Sequence, residues 1–329
     1  MTSPTATRAA TADSGSRASV RLWSQRWAGV LGVSWLVAAV VCAAVSWSVL
    51  VAGHPAHLVA LVVVALVGVL LILRALRLRQ RSEEPTRGPA LRVVGRTLAV
   101  LATVATIGAL VYLKPFSATP DAIAAMSGAP GVRVVDSPTQ IALEPQTTIP
   151  TRGLVFQPGA RVDPRAYVPL LQQVSRTGVL VVIVKQPFDI GFTAIGAPGP
   201  IIAAHPEVRS WAVAGHSLGG VAASSFAGGH TDTVKGLVLW ASFPLGSLAD
   251  TSLKVASISG TNDGLATPAD IEASKADLPG STVFTPVEGS VHAFFGDYGS
   301  QPGDGTPAVS RDEAQKRIVA ATVALLQSL

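Results

Sequence analysis

A single cysteine, Cys42, stands among the 329 residues. One thiol excludes an internal disulfide, and it argues against thiol catalysis and against a cysteine-ligated metal site. Acidic residues are scarce in one part of the chain only. Residues 1–114 hold 3 Asp and Glu against 12 Lys and Arg, a net of +9, whereas residues 115–329 hold 17 against 13, a net of −4. The two sum to the overall +5, so the basic character comes entirely from the first third. Those basic residues flank apolar runs and do not decorate a folded domain, which argues against nucleic acid as a partner.

Charge is missing altogether from residues 28–53, more than the about 20 residues that cross a bilayer. A second apolar run covers residues 58–73, with Pro55, Ala56 and His57 able to extend it at the interface. A third covers 97–113, between Arg96 and Lys114. These runs predict three transmembrane helices, about 28–53, 56–73 and 97–113, as a membrane anchor over 27–114 in contact with lipid. Residues 1–26, rich in Thr, Ala, Ser and Arg with no apolar period, read as a disordered basic tail. A cleaved signal peptide would have a shorter apolar core, nearer the terminus, and no second run close behind it.

Arginine sets the orientation. Arg8, Arg17, Arg21 and Arg26 precede the first run, and Arg74, Arg77, Arg79, Arg81, Arg87, Arg92 and Arg96 lie between the second and third, against Glu83 and Glu84. The loop from His54 to His57 has none. By the positive-inside rule both basic segments are cytoplasmic. Three crossings then make a multi-pass protein of the cell membrane with an extracytoplasmic C-terminal domain.

Residues 115–130, rich in Pro, Ala, Ser and Gly, read as a linker. From 131 to 329 strands and helices alternate. Strands are predicted near 132–135, 140–143, 153–156, 179–184, 211–214, 236–240, 253–258 and 282–284. Helices are predicted after Asp163-Pro164, after Ser217, over 268–276 and over 310–326. This pattern implies an α/β fold, a mostly parallel sheet covered by helices on both faces, with ligands bound beyond the carboxyl ends of its strands.

The stretch Gly215-His216-Ser217-Leu218-Gly219-Gly220 joins an apolar strand to a helix of small residues. Such a turn lifts its middle side chain clear of the sheet, and Gly215 and Gly219 supply the room it needs. A serine hydroxyl becomes a nucleophile when a base takes its proton, and the base must be held in one tautomer. Asp263 follows one later strand, in Gly260-Thr261-Asn262-Asp263-Gly264, and His292 follows the next. The catalytic set read from this order is Ser217, Asp263 and His292, with Asp297 and Glu288 as rival acids. His216 reads as a packing residue, His205 and His230 as surface residues at helix ends, and residues 299–306 as a surface loop near His292.

On these motifs the domain resembles an α/β-hydrolase over nearly all of residues 131–329. Within that superfamily it is similar to small, lid-less bacterial serine hydrolases with a Pro-Gly-Gly oxyanion loop and an Asn-His-Ala histidine loop. Pro158-Gly159-Ala160 and Val291-His292-Ala293 stand at the matching places, so Ala160 replaces a glycine and Val291 an asparagine. The resemblance implies that the backbone N–H groups of Leu218 and Ala160 form the oxyanion hole. A lid domain would follow the strand at 236–240, and the dozen residues to the next strand are too few for one. Phe188, Phe192, Phe243 and Phe294 are candidates for a substrate-binding wall. The leading reading is a membrane-anchored carboxylic-ester hydrolase acting on a small-molecule or lipid-like acyl ester, with no cofactor and no metal. The alternatives are an acyltransferase with the same triad and a non-enzymatic scaffold on the hydrolase fold. Serine in place of aspartate at the elbow argues against dehalogenase chemistry.

Overall fold

The computed structural model describes residues 5–80 and 89–329. Residues 81–88, the middle of the arginine loop, lie outside the described residues. The chain divides into two units, Met1–Trp47 with Leu58–Lys114, and Ser48–His57 with Pro115–Leu329.

The first unit consists of α1 (Thr5–Ala52), α2 (Ala56–Gln80) and α3 (Pro89–Tyr112). Each holds an apolar stretch long enough to cross a membrane: Trp27–Ala52, Ala56–Arg77 and Val93–Tyr112. Val40, Leu70 and Val104 are among the exposed side chains, so these helices carry apolar residues on their outer surface. α1 starts at Thr5, inside the stretch expected to be disordered. Alanine and arginine are strong helix formers, and a helix nucleated in the apolar span extends back through them. α1 and α2 meet at glycines. A Cβ added at Gly32 would lie 2.7 Å from Gly68 O, and one added at Gly68 would lie 2.9 Å from Gly32 O. Trp35 Nε1 donates to Thr103 Oγ1 at 2.9 Å and joins α3 to the pair.

The second unit is built on one eight-stranded sheet in the order β1-β2-β4-β3-β5-β6-β7-β8. Its strands are β1 (Val132–Asp136), β2 (Gln140–Pro145), β3 (Arg152–Gln157), β4 (Val179–Val184), β5 (Ser210–His216), β6 (Val234–Trp240), β7 (Lys254–Gly260) and β8 (Val283–Val287). β1 and β2 run antiparallel to their neighbours, and the other pairs are parallel. The inner strands are apolar runs buried on both faces, which is what a covered parallel sheet demands. Residues alternate between two cores. Leu154, Phe156, Val181 and Ile183 face one, Val155, Leu180, Val182 and Val213 the other.

The first core is covered by α4 (Pro120–Ala124), α5 (Val168–Ser175) and α9 (Arg311–Gln327), and the second by α6 (Pro198–Ala203) and α7 (Leu218–Gly229). α8 (Pro268–Ser274) follows β7 and starts with a capping box, Thr267 with Asp270. Residues 115–130 differ from the expected linker. Ala118 and Ala122 are buried in the first core, Phe116 bridges to Val162, and Thr119 N–H donates to Asp297 O at 2.8 Å. Small residues there allow close packing and are not a sign of free chain.

β3 sits between β4 and β5, so the connections out of β3 and β4 run in opposite directions along the sheet. That reversal opens a crevice at the carboxyl ends of β3 and β5, the usual place for a ligand in an open α/β sheet.

Candidate active site

β5 ends at His216 and α7 starts at Leu218, which leaves Ser217 to turn the chain. Its backbone has φ 52° and ψ −125°, a region that serine occupies only when its surroundings force it. A Cβ on Gly215 would overlap the Gly219 carbonyl carbon, and one on Gly219 would overlap Gln157 O. The turn therefore closes only with glycine at both places, and it presses against the end of β3. Ser217 N–H donates to Trp240 O at 2.9 Å, and Ser217 O accepts from Ser242 Oγ at 2.7 Å. The serine is half-buried at the carboxyl edge, at the positive end of the 12-residue α7.

His292 and Asp263 come from the loops after β8 and β7. His292 Nδ1 lies 2.8 Å from Asp263 Oδ2, with the two side chains 1% and 0% exposed. The other oxygen, Oδ1, accepts the N–H groups of Leu265 and Ala266, each at 2.8 Å, so the carboxylate is fixed at both atoms. An imidazole held this way carries its Nδ1 proton toward the carboxylate and leaves Nε2 as a base. Nε2 has no hydrogen-bond partner among the described residues. The ring lies 4.5 Å, centroid to centroid, from that of His216, the residue before Ser217. The rival acids stand elsewhere. Asp297 Oδ1 accepts from Gln315 Nε2 at 2.9 Å, and Glu288 is exposed.

Two anchors around these residues carried no signal in the sequence. Tyr167, just before α5, accepts the Gly159 N–H on its hydroxyl oxygen at 2.9 Å and stands 2.9 Å from His216 Nδ1. Burial, followed by the neighbouring His292, holds the His216 pKa well below the usual imidazole range, and burial pushes the Tyr167 phenol up. A neutral ring then accepts the tyrosine proton at Nδ1 and links the Pro158-Gly159 loop to the elbow. Arg311, at the start of α9, donates from Nη1 to Ala293 O at 2.6 Å and to Gly296 O, gripping the turn that carries His292.

The aromatic residues divide. Phe243 and Phe192 are exposed at the carboxyl edge, 38% and 48%. Phe294 packs against the first core with the Arg311 guanidinium 4.7 Å from its ring centroid. Phe188 has φ 57° and meets the His57 ring edge-on at 5.5 Å. Beside it Asp189 is also left-handed, at φ 51°, and is 1% exposed. Neither of its carboxyl oxygens has a hydrogen-bond partner among the described residues, and His57 Nε2 is 3.7 Å from Oδ2. Burial, then the charge of Asp163, raises the Asp189 pKa well above the ordinary carboxylate range. Residues 241–253, between β6 and β7, contain no helix, so no lid domain is inserted there.

Residues 153–316 match the sequence model of a family described as the alpha/beta hydrolase family. No curated protein matches the chain. Among solved structures, a Klebsiella pneumoniae protein assigned as a dienelactone hydrolase is similar, with 14% identity over 58% of this chain and 92% of its own, at a TM-score of 0.46. Est1E from Butyrivibrio proteoclasticus is similar at 12% identity over 60% of this chain and 99% of its own, with a TM-score of 0.45. The same protein with ferulic acid bound gives 11% identity, 61% and 98% coverage and a TM-score of 0.45.

Proposed function

We propose that this chain, whose C-terminal unit has the α/β-hydrolase fold, is a membrane-anchored serine hydrolase of carboxylic esters. The observation that carries the reading is the buried 2.8 Å contact between His292 Nδ1 and Asp263 Oδ2, with the His292 ring 4.5 Å from that of His216, the residue before a serine strained onto the tip of an elbow. In the reaction Ser217 Oγ attacks the ester carbonyl as its proton passes to His292 Nε2. The carbon–oxygen bond of the leaving alcohol then breaks, and the alcohol takes that proton. Water attacks the acyl-enzyme and gives a proton to His292 Nε2; the bond between the acyl carbon and Ser217 Oγ then breaks, Oγ takes that proton back, and the carboxylic acid leaves. Asp263 holds the imidazole in one tautomer and stabilises its charged form throughout.

The oxyanion hole is assigned to the N–H groups of Leu218 and Ala160. Gly219 lies against Gln157 O and Pro158 O, so the loop after β3 borders the elbow. Pro158 has no N–H to give, and that of Gly159 is taken by Tyr167 Oη. Ala160 is therefore the first residue of the loop able to donate to a developing oxyanion. Exposed Phe192 and Phe243 give the edge an apolar rim suited to an acyl group.

Ser217→Ala removes the nucleophile without altering packing, and turnover of a short-chain p-nitrophenyl ester should fall at least about 10³-fold. A fluorophosphonate should label the parent and leave the variant unlabelled. Undiminished turnover in the variant would overturn the assignment.

A further inference from the structure

Resting on the reading of Ser217, His292 and Asp263 as a triad, we infer that Asp304 is a positioning residue that holds the acid loop and the histidine loop in register. Asp304 lies in the segment after Tyr298 that sequence marks as a surface loop. Its Oδ1 accepts the His292 N–H at 3.0 Å, the Gly305 N–H at 2.7 Å and the Gly264 N–H at 3.4 Å, and its Oδ2 accepts the Ala293 N–H at 2.9 Å. One carboxylate thus binds the backbone of the catalytic histidine and of the residue after the catalytic acid. Acceptance of several N–H donors by one charged group is short, directional and strong.

The surrounding strap is built to deliver that group. Asn262 Nδ2 donates to Thr306 O at 2.9 Å, and the Ala308 N–H donates to Gly289 O at 2.9 Å. A Cβ added at Gly264 would meet Gly303 O, so the strap lies directly on the acid turn. Arg311 holds the carbonyls of the histidine turn while Asp304 holds its N–H groups, and the turn is fixed by charges of both signs. Displacement of a reacting group by about 1 Å costs on the order of 10²-fold in rate. Asp304 acts at that level, through His292 and Asp263, with no contact to substrate.

The test uses the full chain in detergent with a p-nitrophenyl ester. Asp304→Asn keeps the size of the side chain, loses the charge and turns an NH₂ group toward donors. It should lower kcat about 10²-fold with KM nearly unchanged, and slow fluorophosphonate labelling of Ser217 in parallel. Asn262→Ala removes one bond of the strap and leaves all four N–H donors of the Asp304 carboxylate in place, so it should lower kcat by less than about tenfold. Parental kcat in Asp304→Asn, or an equal loss in Asn262→Ala, overturns the inference. Should Asp304→Asn fail to fold, Asp304→Glu decides: charge is kept and the oxygens move by one methylene, so a kcat at least about tenfold lower supports the role and a parental kcat overturns it. Ser217→Ala runs alongside. Full turnover and undiminished labelling there would sink the triad itself and this inference with it, whereas a dead Ser217→Ala beside a fully active Asp304→Asn sinks the inference alone.

Discussion

Ser217 and Asp189 both hold L-residues at positive φ, and the surroundings treat them differently. At Ser217 the strain of about 1–3 kcal/mol is offset by bonds to Trp240 O and Ser242 Oγ and serves to expose a hydroxyl. At Asp189 the backbone is held, its carbonyl accepting the Arg161 N–H at 2.7 Å, but the buried carboxyl gains no hydrogen bond. Its pKa is raised by burial, so the folded chain keeps a proton that the unfolded chain loses near pH 4. Above that pH the native state binds more protons than the unfolded state, and stability falls as pH rises, until the folded group ionises too. Asp189→Asn carries no charge, and asparagine tolerates the left-handed region. The variant should melt at a higher temperature than the parent at pH 7, with the difference closing as pH falls toward about 4. A lower melting temperature at pH 7 would mean instead that Asp189 is ionised and paired with His57, 3.7 Å away.

Among elements, legibility followed the range of the interaction. β3 to β7 are near-continuous apolar runs bounded by glycine, proline or polar turns, a local pattern that needs no knowledge of partners. β8 was seen short because Pro286 interrupts it, and it tolerates that proline as an edge strand. α6 and the turns from Pro187 to Ala194 were not anticipated, since each is too short for a helical period to show. The elbow, Asp263 and His292 could be placed because each follows a strand on one sheet edge. Tyr167 and Asp304 could not, because their partners on other loops are brought near only by the finished sheet. The α1–α2 contact is of the same kind: two glycines 36 residues apart whose backbones touch. Gly68→Leu should force those helices apart, at about 1–3 kcal/mol, and lower the melting temperature of the full chain in detergent. Gly108→Leu, where a Cβ meets nothing within 4 Å, should melt as the parent does. Equal behaviour of the two variants would show that the close approach is not what holds the pair.

At the scale of the molecule, charge and connectivity point the same way. The net +9 of residues 1–114 and −4 of residues 115–329 divide the chain at the last apolar helix. Arg8, Arg17, Arg21 and Arg26 lie before Trp27–Ala52, the arginines from Arg74 to Arg96 lie from the last turn of Ala56–Arg77 to the first turn of Val93–Tyr112, Lys114 follows that last span, and the turn at His54 to His57 has no arginine or lysine. By the positive-inside rule, three crossings would leave that turn and residues 115–329 on one side, away from the arginines. The second run decides the count. From sequence its charge-free part is 58–73, but the apolar helix extends over 22 residues, Ala56–Arg77, about 33 Å against a hydrocarbon core of about 30 Å. Arg74 and Arg77 fall at its C-terminal end, where long basic side chains can reach lipid headgroups. We therefore predict an extracytoplasmic catalytic domain. A reporter enzyme that works only outside the cytoplasm should be active when fused after Leu329 and inactive when inserted in the arginine loop near residue 85. Protease added to whole cells should remove the domain. Activity at residue 85, with an expressed but silent fusion at Leu329, would mean that the second helix does not cross and that the hydrolase faces the cytoplasm.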